Sequence, residues 1–241
     1  MVEAVGRVCL VTGSSRGLGL AVAQHLAAGG DTVHVVHTRA AVAGDLAEQF
    51  PGRVHRIKLD GPATAGELLR SVLERDQRLD ILVHAVGPYL EASLESTGPE
   101  RFRSLLEGNL LSAVDLMDAA RGALRATRGR AVFFGVAGLA GQRARRTNAA
   151  YVSAKAALRS YTRSLALEEA PFGVGVNMVS PGVIPHPGAS SDTQDPKVQA
   201  QVPQGRPGRP SDVAATVAFL CSPEAEHLVG QDVEVAGGYM L

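Results

Sequence analysis

Residues 7–19 read RVCLVTGSSRGLG, and GLGLAVAQHLAAGG carries the chain on from residue 17 to residue 30. The first run is short and rich in Val, Cys and Leu, as a buried strand is; the second spaces its apolar residues as a helix does. Between them, Gly13, Gly17 and Gly19 permit a tight turn, close backbone approach to a ligand and close packing of helix on sheet. The first N–H groups of such a helix are left free for an anion. A glycine-rich turn alone is often only structural; its place between strand and helix makes it a phosphate site. Its spacing differs from GxGxxG, so the general dinucleotide fingerprint is met in outline.

Outward from this unit the same alternation recurs. DTVHVVHT (31–38), GRVHRIKLD (52–60), LDILVHAVG (79–87), GRAVFFGV (129–136) and GVNMVSPG (175–182) are further strand-like runs, and QDVEVAGG (231–238) is the last. Stretches such as ATAGELLRSVLERDQ (63–77) have helical spacing. Alternating strands and helices predict a doubly wound α/β fold, a mainly parallel seven-stranded sheet covered by helices on both faces. A helix is expected over about 211–221, with Ser211 and Asp212 accepting the free N–H groups of its first turn. Residues 181–210, PGVIPHPGASSDTQDPKVQAQVPQGRPGRP, are dense in Pro, Gly and polar residues. Following directly on a strand end, where such sheets bind ligands, this tract reads as a substrate lid with short helices of its own.

The 241 residues, 45% hydrophobic, suit a single domain over 1–241. Twenty-four basic and twenty-four acidic residues cancel, which argues against a nucleic-acid or membrane-surface partner held by a whole-surface field. Cys9 and Cys221 have no metal or CxxC spacing and read as small core hydrophobes, which fits a reducing cytosol. Seven histidines are scattered without ligand spacing, so no metal is expected. No run is long enough to cross a bilayer and no signal peptide is evident, so a cytoplasmic protein is expected.

At the end of the second strand, a dinucleotide lacking a 2′-phosphate usually meets a carboxylate. Here the residues are His37, Thr38 and Arg39; the nearby acid, Asp31, belongs to the opposite end of that strand. Arg16 and Arg39 can pair with a 2′-phosphate, so NADP(H) is expected over NAD(H). Arg39 can equally be a solvated loop residue.

Tyr151 and Lys155 stand four residues apart in an alanine-rich helical stretch and share one face. A free phenol, with a pKa of about 10, is a poor acid at neutral pH. A neighbouring ammonium is expected to lower that value into the working range, giving a proton-transfer pair. Taken alone, such a pair can also be an ordinary surface contact.

With these residues in place, the chain resembles the short-chain dehydrogenase/reductase family over nearly its whole length. TGSSRGLG matches that family's TGxxxGxG turn, YVSAK its YxxxK pattern and NMVSPGVI its NxxxPG segment. The style of RPGRPSDVAATVAFLCSPEAEHLVGQDVEVAGG is most similar to that of bacterial 3-oxoacyl-[acyl-carrier-protein] reductases. The resemblance implies a Rossmann-type three-layer α/β/α fold. It implies Tyr151 as proton donor and acceptor, Lys155 on the nicotinamide ribose, and Asn109 as a structural and relay residue. For the cofactor it implies Gly13, Ser15, Arg16, Gly17, Leu18, Gly19, Thr38, Arg39, Ala85, Gly87, Pro181, Gly182 and Ile184, with Asp60 at the adenine. A homotetramer or dimer is implied, as is a small carbonyl substrate, including a carrier-bound acyl thioester.

Two departures stand out. His84-Ala85-Val86-Gly87 occupies the family's NNAG. The family's catalytic serine after the fifth strand is absent: no Ser or Thr occurs between Arg130 and Arg146, and Gly135 or Gly138 is read in its place. Loss of such an oxygen-site donor typically costs about 10²- to 10³-fold in rate. The expected activity is therefore NADPH-dependent carbonyl reduction with Tyr151 as donor. The alternatives are a pteridine- or enoyl-type reductase, or a catalytically idle NADP-binding sensor or scaffold. Arg143, Arg145 and Arg146, in QRARRT, either dock an acidic carrier or a phosphate-bearing substrate or form a solvated loop.

Overall fold

The structure is a computed structural model that describes residues 6–37, 46–58, 64–141, 144–187, 189 and 191–241. The strands β1 (Val8–Thr12), β2 (Thr32–His37), β3 (Val54–Lys58), β4 (Ile81–His84), β5 (Arg130–Phe134), β6 (Gly175–Pro181) and β7 (Asp232–Val235) fall where the apolar runs predict them. They form one sheet in the order β3-β2-β1-β4-β5-β6-β7. Every pairing is parallel. The architecture is the expected doubly wound Rossmann-like α/β fold, and strand order reverses between β1 and β4, where such sheets open a ligand crevice.

The helices are α1 (Gly17–Ala28), α2 (Ala65–Asp76), α3 (Leu94–Leu106), α4 (Ser112–Thr127), α5 (Ala149–Glu169), α6 (Pro196–Gln199) and α7 (Pro210–Leu220). Alternation along β1 shows why its five residues are all apolar or buried. Val8 and Leu10 pack with Leu82, Phe133 and Met178 beneath α2, α4 and α5. Cys9 and Val11 pack with Ile81, Val83 and Val132 beneath α1 and α7. Both cysteines are buried and free, as small core hydrophobes. Each fully buried large apolar side chain contributes about 1.5–3 kcal/mol by leaving water, so the sheet centre is rigid and its C-terminal rim is a stable platform.

Asp31 sits at the N-terminal end of β2, paired with Arg7 at 2.7 Å, far in sequence register from the strand's cofactor end. The start of α7 differs from the expectation. Helical turns begin at Pro210, whose fixed φ suits a first position, and neither Ser211 nor Asp212 is the cap. Asp212 is the third helical residue and its carboxylate accepts from the Arg209 N–H at 2.9 Å. Residues 181–210 contain the 3-10 turn Ser191–Gln194 and the single-turn α6, and are tied back by Gly208 N–H to Val183 O (2.9 Å) and Gln204 N–H to Gly237 O (3.0 Å). Among the described residues no helix is long and apolar enough to cross a membrane, and no group of His, Cys, Asp or Glu could hold a metal ion.

Candidate active site

A cavity of about 420 Å³ opens at the C-terminal ends of β1, β4, β5 and β6, a size suited to a small-molecule ligand. Its lining brings together Gly13, Ser15, Arg16, Gly17, Leu18 and Gly19 at one end and Tyr151 and Lys155 at the other. Ala85, Gly87, Pro181, Gly182 and Ile184 form its walls. Thr38, Arg39, Asp60 and Arg143 lie outside the described residues.

The glycine turn is built for backbone approach. Gly13 (φ 71°) and Gly17 (φ 61°) adopt left-handed conformations that side chains disfavour. A Cβ on Gly19 would stand 2.4 Å from the Gly13 carbonyl oxygen, so α1 packs against β1 only with glycine there. Arg16 precedes α1 in extended conformation and no side chain caps the helix. The free first-turn N–H groups and the helix dipole thus face the cavity without a protein partner, the donor set a diphosphate needs. Ser14 is not part of that donor set: its hydroxyl donates to Val11 O (2.7 Å) and accepts from Val36 N–H (3.0 Å), locking β1 to β2.

At the other end, Tyr151 occupies the first turn of α5 and Lys155 the second. Lys155 is buried, and its amine donates to Phe134 O at 2.8 Å. Burial pushes that amine from its usual 10.5 down to about 7. The expected lowering of the phenol by the ammonium is not what the geometry yields. The Lys155 Nζ lies 5.8 Å from the Tyr151 ring centre, turned toward the β5 carbonyl. Burial, with a smaller contribution from Tyr89, raises the Tyr151 phenol well above its usual value. Tyr89, in the loop after β4, meets Tyr151 edge-on with ring centres 5.0 Å apart and 74° between planes.

Asn109 falls in a π-helical turn, Glu107–Leu111, set between α3 and α4. Turns of this kind recur at functional sites. Its amide nitrogen donates to Pro88 O and Leu105 O, both at 3.0 Å, while its buried Oδ1 has no partner among the described residues. A Cβ on Gly87 would lie 2.2 Å from that Oδ1 and 3.0 Å from Lys155 Nζ. Only glycine at 87 therefore lets Asn109 Oδ1 and Lys155 Nζ come this close to the chain leaving β4. His84, replacing the first residue of NNAG, bridges Thr12 Oγ1 (2.8 Å) and Ser112 Oγ (3.0 Å) and so ties β1, β4 and the start of α4 together.

Neither glycine read in place of the serine could send a side chain into the cavity, although Gly135 itself lines it. A Cβ on Gly135 would run into β6, 2.2 Å from Ser180 Oγ, and one on Gly138 would meet Arg145 and Met240. The β5 exit presents half-buried Val136 to the cavity instead. Of the basic loop, Arg145 is turned toward Met240 Sδ (3.9 Å), and Arg146 is exposed. Val136 and Tyr89 escaped the sequence reading, although both lie in the loops that leave strand ends, the position from which α/β sheets address ligands.

Comparison with known proteins agrees with this geometry. The family model described as enoyl-(acyl carrier protein) reductase matches residues 13–240. The chain is 35% identical over 246 residues to a 3-oxoacyl-[acyl-carrier-protein] reductase of Vibrio cholerae, covering 98% of each. It is 34% identical to an L-fucose dehydrogenase of Mus musculus, covering 98% of this chain and 89% of that one. Among solved structures, a 3-ketoacyl-(acyl-carrier-protein) reductase from Brucella melitensis complexed with NADH superposes with a TM-score of 0.90 at 25% identity, over 98% of this chain and 99% of that one. With a family model matching residues 13–240 and a relative 35% identical over nearly the whole of both chains, the chain belongs to the short-chain dehydrogenase/reductase family of oxidoreductases.

Proposed function

We propose that the protein is an NADPH-dependent reductase that converts a ketone, with 3-oxoacyl thioesters the leading class, to an alcohol. One observation carries this reading: a phenol and a buried amine open onto the same cavity whose far end is an uncapped helix N-terminus behind a glycine turn. A reduced nicotinamide dinucleotide bound there supplies a hydride to the carbonyl carbon. Tyr151 gives its phenolic proton to the oxygen as the carbonyl π pair moves onto that atom. Lys155 would hold the ribose, and its ammonium, beside Asn109, would return a proton to the phenolate. The backbone N–H groups behind Gly13 and Gly17, with Ser15, take the diphosphate. Ala85, Pro181, Gly182 and Ile184 bound the nicotinamide.

NADPH is preferred over NADH in this reading because the β2 end carries Thr38 and Arg39 in sequence with no carboxylate, and Arg16 is exposed at the cavity rim. The apolar Val136 favours a second reading, reduction of an enoyl or pteridine bond, in which the hydride goes to a carbon other than a ketone carbon and no ketone oxygen stands at that wall. We take the protein to act in the cytosol as a homodimer or tetramer. The test is NADPH oxidation by purified protein with acetoacetyl-coenzyme A, ketones, quinones and an enoyl thioester. Carbonyl turnover that Tyr151→Phe lowers by about 10²-fold or more supports the reading, and NADPH binding without turnover of any substrate sinks it.

A further inference from the structure

A carbonyl oxygen gaining negative charge is best stabilised by two donors, and Tyr151 is one. The second cannot come from the β5 exit, because Val136 stands there and side chains at 135 or 138 would point elsewhere. Of the other polar side chains lining the cavity, Thr193 belongs to the 3-10 turn of residues 191–194 and is engaged in a contact of its own, and the rest are committed or lie at the glycine-turn end. Lys155 donates to Phe134 O. His186 lies against Gly17, at the glycine-turn end, with Nδ1 donating to Pro187 O (3.1 Å). Ser15 and Arg16 belong to that same end.

Tyr89 is different. Its ring meets the edge or face of Tyr151 at 5.0 Å, it is 38% exposed and lines the cavity, and its hydroxyl makes no hydrogen bond among the described residues. The loop that carries it is held on both sides. Pro88 O accepts from Asn109 Nδ2, and Ala92 N–H donates to Thr147 O just ahead of α5. The backbone on either side of Tyr89 is thus held, and the edge contact with Tyr151 sets its ring beside that phenol.

We propose that Tyr89 is a second catalytic hydroxyl, donating to the substrate oxygen the hydrogen bond that Val136 cannot. The inference rests on the carbonyl-reductase reading above. It makes the substrate oxygen bind between two phenols rather than between a phenol and a serine. Such a site is wider and flanked by aromatic edges, so it takes an acyl or aryl ketone in preference to a small aliphatic one.

The experiment compares wild type, Tyr89→Phe and the double variant Tyr89→Phe/Val136→Ser, with acetoacetyl-coenzyme A and an aryl ketone as probes, and measures NADPH affinity by fluorescence. Phe keeps the ring contact and removes only the hydroxyl. The expected result is a kcat lower by about 10²-fold in Tyr89→Phe, unchanged NADPH affinity, and recovery of about 10-fold or more when Val136→Ser restores a donor. Unchanged kcat in Tyr89→Phe overturns the inference alone. So does a loss matched by weaker NADPH binding or unrelieved by Val136→Ser, either of which makes Tyr89 structural. Absence of carbonyl turnover in the wild type overturns the reductase reading and the inference with it.

Discussion

Acidification from pH 7 to pH 5 is expected to cost the fold about 2 kcal/mol through one buried imidazole. His84 is 3% exposed. Ser112 spends its hydroxyl proton on Gly108 O, so the imidazole must donate to Ser112 through Nε2 and accept from the Thr12 hydroxyl through Nδ1. Both ring nitrogens are satisfied in the neutral form, and a second ring proton would set two donors against Thr12. Burial first, and the Lys155 charge second, take the pKa from 6.5 to about 3. Between those values the unfolded chain binds a proton that the folded chain refuses, so stability is full above about pH 6.5 and drains as pH falls toward about 3. At pH 5 the unfolded imidazole is almost fully protonated and the folded one almost not, which gives the figure of about 2 kcal/mol. The assay is urea unfolding followed by circular dichroism at both pH values, for wild type and for His84→Asn, which keeps a donor and an acceptor but does not titrate. His34 and His55, also lowered by burial, act alike in both proteins and cancel in the difference. Wild type should lose about 2 kcal/mol more than the variant; equal losses would refute the reasoning.

Lys155, lowered to about 7 by burial, carries its full charge only below that value. NADPH affinity should therefore weaken as pH rises through about 7 in a fluorescence titration, and Lys155→Met should flatten the dependence. Gly135→Ser puts a Cβ within 2.2 Å of Ser180 Oγ and should destabilise by about 1–3 kcal/mol, whereas Val136→Ser, half-buried against the core at the cavity wall, loses only part of its apolar burial and should cost less; calorimetry of both distinguishes them. Ser14→Ala leaves the buried Val36 N–H without its acceptor and should cost about 1–3 kcal/mol in denaturant unfolding.

The sheet was legible because its central strands are buried on two faces and so read as nearly unbroken apolar runs, as VCLVT and ILVH do. The glycine turn was legible because Gly13, Gly17 and Gly19 answer to local constraints, positive φ and close packing, that one stretch of chain reports. The first turn of α7 misled because Ser211 and Asp212 have the right chemistry for a cap, yet Pro210 already fixes the helical φ one position earlier. Val136 and Tyr89 depend on the direction in which a chain leaves a strand and on a loop pinned by Asn109 and Thr147. Those are contacts between segments remote in sequence, and spacing along one segment does not encode them. The π turn that buries Asn109 shares its apolar pattern with an ordinary helix and so leaves no periodic trace.

The sign of the Tyr151 shift bears on the direction of the chemistry. Spacing on a helix fixes only that Tyr151 and Lys155 share a face; where the amine goes depends on a carbonyl of β5, and Phe134 O takes it. With the ammonium drawn off and the phenol desolvated, Tyr151 holds its proton at every physiological pH. A reductase needs that state at the start of the reaction, since the phenol must have a proton to give to the forming alkoxide. Oxidation of an alcohol would need the phenolate instead, which this environment disfavours until an added positive charge offsets the burial. A second phenol beside the first acts in the same sense, because a neutral Tyr89 donates to the substrate oxygen while a phenolate on either ring would repel the other. The apolar wall at Val136 and the paired tyrosines are thus one arrangement: both favour a neutral, proton-rich pocket in which charge develops on the substrate oxygen and is met there by donors.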